Sequence, residues 1–531
     1  MTNGSIFKNP RYREHAKKYE MMGHTTLRKT GLEGVLRIAN ARNLSVIEGR
    51  MSAREFREFK EENTSPEAIW GKVCEMGLQN ESGAKRVIGM SLGNPSAYPD
   101  FPPHMRPWEC LEQIRQSGEK SLREMAGYTS SFGYPPLLRK LKRFGFSDPE
   151  SIHNDAERFE DVRVYTTAGG SGASLIAMEI AVLEPKKDKV VVPDWTYIIH
   201  LGAAYKHEAG LVSYKCRKDG RPDSDSLRSA LHVGTGEEDH QIQAVIFTTI
   251  GNPIGAAMSR EDIVEHLHII GDAGAKLGRP ILAMIDVAYE AFRGDGIPLD
   301  PIKIALEEDI KTPIIVMDTV SKAYGLCGWR MGKLAVYWPG DAFPDAMEDF
   351  FLALENDILP TLGGVSNPEQ MAFNRFLNEL AADPATMEGT KAFFGARRVR
   401  VSENLIRMAE ALREIPGVYL SKYYDHERGI SGIDPDTLSS FYLMFGFDEL
   451  LYLNASEGNQ AKDFAEFALE TAGIPVVNCV PSQSFLPLER RSSHHALIRV
   501  TGLTDADDTA AFLEAVEAYA RHLSGKPVHP R

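Results

Sequence analysis

Cysteine is scarce in this chain of 531 residues, and the few that are present are scattered. They are Cys74, Cys110, Cys216, Cys327 and Cys479. No two of them have the CxxC or CxxxC spacing of a zinc-ligand pair, and their wide separation is not that of a small disulfide-linked domain. We therefore expect no metal site and a protein of the reducing cytoplasm.

Long hydrophobic runs are also missing. The first residues, MTNGSIFKNPRYREHAKKYEMMG, contain no apolar core of signal-peptide length, and nowhere do about 18 apolar residues follow one another. Basic residues are in deficit as well, because 60 Lys and Arg face 74 Asp and Glu and leave a net charge of -14. Since nucleic acid is held by clustered Lys and Arg, we expect no export, no membrane span and no nucleic-acid partner.

What the chain does have is length and apolar content. With 43% hydrophobic residues over 531 positions it can bury a large core, and two or three domains are expected. Residues 1–85 are charged and helix-like, which predicts an N-terminal helical extension. Residues 86–390 are expected to form a large domain, with 86–115 as a connecting arm, and residues 391–531 a smaller α+β domain.

Within the large domain, short apolar runs alternate with helical patterns. The runs are VRVYTT, KVVVPD, AVIFTT, PILAMID, PIIVMD and KLAVYW. Such alternation predicts an α/β fold with a mostly parallel sheet flanked by helices. One connecting helix is marked by Ser259 and Asp262, which have capping-box spacing. Its predicted apolar face comprises Ile263, Leu267 and Ile270.

The stretch DTVSKAYGLCGWRMG, residues 318–332, carries the strongest chemical signal. It places Lys322 beside two hydroxyls, Thr319 and Ser321, and a cation, Arg330, lies eight residues beyond the lysine. A neutral lysine amine can condense with an aldehyde, while hydroxyls and a guanidinium suit a phosphate dianion. The same pattern also fits an ordinary strand-to-loop junction, so the rest of the chain has to decide.

In an open α/β sheet, ligands bind at the carboxyl ends of the strands, so the residues that follow the other apolar runs are informative. After VRVYTT, Gly170, Ser171 and Gly172 open a helix and can direct free backbone N–H groups at a phosphate. A plain Gly-rich turn has the same composition. After KVVVPD comes Trp195, an indole that can stack on an aromatic ring or fill a core.

Two further strand ends carry polar groups. Asn252, in GNPIG, is either an amide donor to a phenolate oxygen or a turn residue. Asp286, which ends PILAMID, is costly at that depth unless it meets a cation, either a protonated pyridine nitrogen or a salt-bridge partner. Tyr289 follows three residues later. Together, the five strand ends offer the groups that pyridoxal phosphate (PLP) needs.

Through these motifs the chain resembles the class I/II aminotransferases of the fold-type I, PLP-dependent aspartate aminotransferase superfamily, from about residue 88 onward. The resemblance implies a seven-stranded-type, mostly parallel sheet. It implies that PLP forms an internal aldimine with Lys322, which later carries the proton. Asp286 would pair with the pyridine nitrogen, Asn252 and Tyr289 with the phenolic oxygen, and Trp195 would stack on the ring. The phosphate would be held by Gly170, Ser171, Gly172, Thr319, Ser321 and Arg330.

The resemblance also assigns residues outside the strand ends. Tyr128, in GYTSSFGYPPLLRKL, matches a tyrosine that reaches the phosphate of the neighbouring subunit, which implies a homodimer or higher homo-oligomer with shared active sites. Arg499, in ALIRVTGL, matches the arginine that grips the substrate α-carboxylate. Gly93 matches the glycine of the loop that covers the substrate, and Asn252 and Trp195 would contact the substrate too.

The activity that the resemblance implies is transamination, in which an amino group moves between an L-amino acid and a 2-oxo acid by a ping-pong mechanism. The same parts serve other PLP enzymes, so an aspartate 4-decarboxylase-like lyase remains an alternative, as does a non-catalytic PLP-binding regulator. The substrate side chain is not specified by the sequence. Five basic residues could favour an acidic substrate but are expected to be solvated surface charges: Arg293, Arg490, Arg491, His494 and His495.

Overall fold

The computed structural model describes Pro95, Tyr98 and residues 100–523, apart from 218, 232–240, 341, 356–358, 360–364, 421–423, 426–428, 431–440, 448–463, 465–467, 469–476 and 480–496. The expected N-terminal helical extension, residues 1–85, lies outside the described residues. None of the helices in the described part of the chain has both the length and the apolar content to cross a membrane.

A seven-stranded sheet forms the centre of the fold, and its strand order is β1-β7-β6-β5-β4-β2-β3. The strands are β1 Val162–Ala168, β2 Lys189–Pro193, β3 Gly210–Tyr214, β4 Ile242–Thr248, β5 Leu282–Asp286, β6 Ile314–Thr319 and β7 Met331–Tyr337. Neighbours from β3 to β6 pair in parallel, and only β7 runs against its neighbours β1 and β6. The expectation of a mostly parallel, seven-stranded sheet is confirmed.

The central strands are apolar at nearly every position because helices cover both faces of the sheet. Successive residues of one strand enter different cores. Ile285 belongs to the core on one face and Met284 to the core on the other. Val316 and Met317 of the next strand divide in the same way. The period of two in side-chain direction therefore turns one continuous apolar run into two separate cores.

The helices fall between and around these strands. They are α1 Met105–Gln116, α2 Glu119–Ala126, α3 Pro135–Leu141, α4 Gly169–Ala181, α5 Ile198–Lys206, α6 Ser224–Ala230, α7 Arg260–Leu277, α8 Pro301–Glu307, α9 Val320–Ala323, α10 Pro344–Ala353, α11 Asn367–Ala382, α12 Pro384–Arg413 and α13 Ala506–Leu523. Short 3-10 helices lie at Pro149–His153, Glu157–Phe159, Glu290–Phe292 and Cys327–Trp329.

Helix α7 confirms the boundary that its sequence predicts. Ser259 is its N-cap and forms a reciprocal capping box with Asp262. The residues of the predicted apolar face, Ile263, Leu267 and Ile270, are buried. Two backbone N–H groups at the start of the helix are thereby satisfied, which fixes where the chain leaves strand β4 for the helical layer.

A second, smaller sheet is antiparallel and has the order β12-β13-β11-β8. Its strands are β8 Val418–Leu420, β11 Tyr442–Phe447, β12 Val477–Cys479 and β13 Leu497–Thr501, and a separate pair comprises β9 Tyr424–Asp425 and β10 Gly429–Ile430. Rings of the sheet pack on α13, with 5.8 Å between the centroids of Phe445 and Phe512. Helix α12 contacts both the 3-10 helix Glu290–Phe292 that follows β5 and the strands β8 and β11 of the small sheet, and the expected domain boundary between 390 and 391 falls within it. The domain boundaries stay predictions.

Candidate active site

The carboxyl ends of β1, β5 and β6 meet at one edge of the large sheet. Strand β1 leads directly into α4, β5 ends at Asp286, and β6 ends at Thr319. Strand β7 joins them, because Ala168 pairs with Met331 and Thr319 pairs with Gly332. The edge therefore collects a helix N-terminus, a carboxylate and the lysine segment.

The lysine segment forms a tight turn around two hydroxyls. Thr319 is the N-cap of α9, and its Oγ1 accepts a hydrogen bond of 3.2 Å from the backbone N–H of Ser321. The hydroxyl oxygens of the two residues are 2.9 Å apart. Lys322 is half-buried, and its Nζ lies 5.8 Å from the centre of the Tyr289 ring and 5.9 Å from that of Phe441. The amine therefore faces the predicted site.

The Gly-rich turn and Arg330 form one corner of the site. Arg330 has a left-handed backbone with φ of 50°, and its Nη2 donates 3.2 Å to the carbonyl of Ala168 at the end of β1. A Cβ on Gly169 would stand 2.9 Å from that Nη2, and one on Gly170 would stand 3.6 Å from Thr319 Cγ2. Only glycine at 169 lets the start of α4 approach the guanidinium so closely.

Gly172 has a different setting from Gly170. A Cβ at Gly172 would lie 3.2 Å from the Cβ of Ala168, so the absence of a side chain lets α4 pack against β1. Its role toward a phosphate stays a prediction.

Ser171 forms a side-chain hydrogen bond with Tyr197, a residue that sequence reasoning missed. Burial raises the pKa of Tyr197, and the nearby Tyr442 and Asp286 raise it further, so the phenol is a neutral hydrogen-bonding group at neutral pH. Its position two residues after Trp195 was the only signal for it in the sequence.

Asp286 is buried, and its two carboxylate oxygens face different neighbours. Its Oδ1 accepts a hydrogen bond of 2.9 Å from the backbone N–H of Ala288. Its Oδ2 lies 3.3 Å from Nε2 of His200, whose Nδ1 is 2.8 Å from the hydroxyl of Ser174. His200 lies on α5, five residues after Trp195, and nothing in the sequence pattern linked it to Asp286. The Ala288 N–H restrains one carboxylate oxygen, and the imidazole of His200 lies beside the other.

Four polar residues link the large sheet to the small one. Asn252 donates 3.3 Å from Nδ2 to the hydroxyl of Tyr289, and that hydroxyl is 3.1 Å from the hydroxyl of Tyr442 on β11. Arg499 on β13 donates 2.6 Å from Nη1 to Oδ1 of Asn252, and its guanidinium lies 4.1 Å from the ring centre of Tyr442. Burial, together with Tyr442, raises the pKa of Tyr289 well above its usual value. Tyr442 was missed because nothing local to SFYLMFGF marks its direction.

Trp195 lies beside this link. It is half-buried and packs against a small apolar cluster made by Ile254, Ala256 and Met444. This places the indole between the Asn252 loop and the small sheet. Stacking of Trp195 on a cofactor ring stays a prediction.

Tyr128 is not part of this cluster, because its side chain is fully exposed. Gly93 and four of the predicted basic residues lie outside the described residues: Arg490, Arg491, His494 and His495. The expectation that Arg293 is a solvated surface charge is wrong. Arg293 is buried and makes two hydrogen bonds of 2.8 Å to the carboxylate of Glu290, with a third to the carbonyl of Met258. A cation bound in this way is not available to a substrate.

The donors at this edge fit PLP. The corner of Gly169, Thr319, Ser321 and Arg330 offers two hydroxyls, a guanidinium and the N-terminus of α4, which suit a phosphate. Asp286 would face the ring nitrogen, and the Lys322 amine would meet the aldehyde carbon. In the part of the chain that the structure describes, no group of three or more His, Cys, Asp or Glu is placed to hold a metal ion.

Sequence comparison finds relatives among the aminotransferases. The tyrosine aminotransferase of Bos taurus is 24% identical over 277 residues, which cover 52% of this chain and 55% of that protein. The glutamate-pyruvate aminotransferase AlaC of Escherichia coli is 23% identical over 279 residues, which cover 52% and 61%. The chain thus matches somewhat more than half the length of these curated relatives.

Solved structures with the same fold cover more of the chain. An alanine aminotransferase from Pyrococcus furiosus superposes with a TM-score of 0.62 at 20% identity, over 86% of this chain and 97% of that one. A kynurenine aminotransferase from Pyrococcus horikoshii, solved in complex with PMP, gives a TM-score of 0.59 at 17% identity, over 84% and 93%. The family model described as aminotransferase class I and II matches residues 94–511. The chain therefore belongs to the class I and II aminotransferases, a family of PLP-dependent proteins.

Proposed function

We propose that this protein is a transaminase that moves an amino group between an L-amino acid and a 2-oxo acid, with PLP bound covalently at Lys322 and ping-pong kinetics. The observation that carries the proposal is the convergence of the lysine turn, the phosphate corner and the His200-backed Asp286 on one sheet edge. Family membership supports the same reaction class.

Each group at the edge has a definite task in this proposal. When bound, PLP supplies a sink for the electron pair left at the substrate Cα. Asp286 holds a proton on the ring nitrogen; at about 4 Å and an effective dielectric of about 20, such a pair attracts by roughly 4 kcal/mol before desolvation. Lys322 would hold PLP through its amine, and that amine would be the base that moves the proton of the substrate Cα.

The residues of the small sheet would recognise the substrate. Arg499 offers a planar fork for the α-carboxylate, and the Tyr442 ring below it restricts where the guanidinium can lie. Asn252 already binds Arg499 and Tyr289, so it would align the carboxylate-binding fork with the phenolic oxygen of the cofactor. Trp195 and Gly93 are proposed to complete the contacts to substrate and cofactor.

A second copy of the chain is proposed to complete the site. Helix α2 buries none of its residues, and four large side chains of α1, α2 and the segment after them are exposed: Met105, Trp108, Leu122 and Tyr128. Large apolar side chains that remain exposed support an interface. Tyr128 would then reach the phosphate of the neighbouring subunit. Mixing inactive Lys322→Ala chains with inactive Tyr128→Asp chains should regenerate activity, because some heterodimers hold one intact site. Exchange of subunits without recovered turnover would count against the shared site.

Borohydride reduction of the purified protein, followed by peptide mapping, tests the cofactor assignment. A pyridoxyl group on the peptide that contains Lys322 is expected; a group on another lysine, or none, would overturn the assignment.

A panel of amino acids, scored for conversion of bound PLP to its pyridoxamine form and for released carbon dioxide, separates transamination from decarboxylation. Conversion without carbon dioxide is the expected result.

A further inference from the structure

A buried arginine lies directly behind the lysine turn. Arg397, on the long helix α12, is 4% exposed. Its Nη1 donates 2.8 Å to the carbonyl oxygen of Ala323 and 3.3 Å to that of Lys322. Both carbonyls belong to the last turn of α9. The guanidinium thus binds the backbone of the residue whose side chain would hold the cofactor.

This is an expensive place for a cation. Within the described residues, Nε and Nη2 of Arg397 have no hydrogen-bond partner. Two rings face the charge, with the guanidinium carbon 4.9 Å from the centre of Phe393 and 5.5 Å from that of Phe292. Burial lowers the pKa of Arg397 to about 10. A buried charge with so few partners costs the fold stability, so its contacts are expected to serve a purpose other than stability.

The end of α9 supplies that purpose. The helix has four residues, so its terminal carbonyls lack partners within it. Arg397 binds two of them, and the backbone N–H of His104 takes the next, the carbonyl of Tyr324, at 2.8 Å. A cation at a helix C-terminus is also favoured by the helix dipole.

We infer that Arg397 is a positioning residue that fixes the backbone of Lys322, and so aims its amine during proton transfer. The inference rests on the proposed function of Lys322. Helix α12 also packs against the 3-10 helix Glu290–Phe292, next to Tyr289, and against β8 and α13. One rigid helix therefore holds the lysine turn in register with the rest of the site.

A double-mutant cycle tests this. Arg397→Met and Arg397→Lys are each made alone and in a Lys322→Ala background, where methylamine in solution replaces the lysine amine. The rate of PLP conversion by an amino acid is measured in a single turnover. We expect Arg397→Met to slow this rate about tenfold when Lys322 is present but less than about twofold in the methylamine-rescued background, with KM for the amino acid unchanged. Arg397→Lys, which keeps a donor and the charge, should recover part of the loss.

The matched control is Arg400→Met, which removes a cation from the same helix at an exposed position paired with Asp100, away from α9. It should leave both rates unchanged. An equal loss from Arg397→Met in the two backgrounds would show a general structural role and overturn the inference, as would no loss from either Arg397 variant. If Arg397→Met does not fold, the same criteria apply to Arg397→Lys. Full turnover by Lys322→Ala without methylamine would instead overturn the proposed function itself.

Discussion

The large sheet and the small sheet contribute to the site in different ways. The residues of the large sheet lie at or directly after strand ends, so they are close together along the chain. Asp286 and Thr319 each end a strand, and Ser321 and Lys322 follow within one turn. The small sheet contributes Arg499 and Tyr442, whose partners in the large domain are 247 and 153 residues away along the chain. In the proposed function the large sheet carries the bond-breaking chemistry and the small sheet carries recognition, and the contacts of Arg499 and Tyr442 can form only when the two sheets meet.

The largest effect should follow from Asp286→Asn, on the large-sheet side. An amide cannot hold the ring nitrogen charged, so we expect turnover to fall about 10³-fold, equivalent to about 4 kcal/mol, while PLP stays bound. Visible absorbance reports the bound cofactor and a steady-state assay reports turnover. Asp300→Asn, at the N-cap of α8, is a matched control that should change neither. Activity of Asp286→Asn within about threefold of the parent would contradict the assigned role.

Arg499→Lys, in the small sheet, should weaken substrate binding. An ammonium cannot reproduce the two parallel bonds of a guanidinium to a carboxylate. We expect KM for the amino acid and for the oxo acid to rise together by about 30-fold, or about 2 kcal/mol, with a smaller change in kcat. A change confined to PLP affinity would mean that Arg499 does not bind substrate and would break the division between the two sheets.

Stability on the large-sheet side should depend on pH through His104. Burial, and to a lesser degree the Arg397 cation, lowers the pKa of His104 to about 4. The unfolded chain takes up this proton near the ordinary histidine pKa of 6.5 and the folded chain only near a pKa of 4, so the free energy of unfolding is highest above pH 6.5 and falls as the pH drops from 6.5 toward 4. Relative to His104→Asn, the parent should lose about 2 kcal/mol between pH 7 and 4.5. Urea denaturation at both pH values measures the free energy of unfolding. An equal change in that free energy for the parent and for His104→Asn would refute the prediction.

The smallest effect is expected from Tyr442→Phe. This variant tests whether Tyr442 acts with the substrate-binding residues of the small sheet or with the catalytic residues of the large sheet. The variant keeps the ring beneath Arg499 but removes the hydroxyl that contacts Tyr289. One hydrogen bond contributes about 1 kcal/mol, so kcat/KM should fall about fivefold. Tyr519→Phe, on α13, is the control for loss of a phenol elsewhere in the small domain. A loss confined to KM would place Tyr442 wholly with substrate recognition, whereas no loss would remove it from the site.

The sequence determined the chemistry of the strand ends, because a strand, its final residue and the turn after it are contiguous. Such local patterns identified Asp286, Asn252 and the lysine segment, and they gave the parallel sheet that gathers them. They also gave the start of helix α7. The same patterns could not rank a surface charge against a buried one, which is why Arg293 was misjudged.

Only the tertiary structure decided which distant residues meet. His200, Tyr197, Tyr442 and Arg397 have no local signature, since a histidine, phenol or guanidinium on a helix or strand is common in any protein. Their meaning comes from contacts that form when α5 packs beside β5, when the two sheets approach, and when α12 crosses behind α9. Burial then strengthens these contacts, because polar interactions are stronger where water is excluded. Stronger contacts restrict the orientations of the carboxylate, the phenol and the lysine turn.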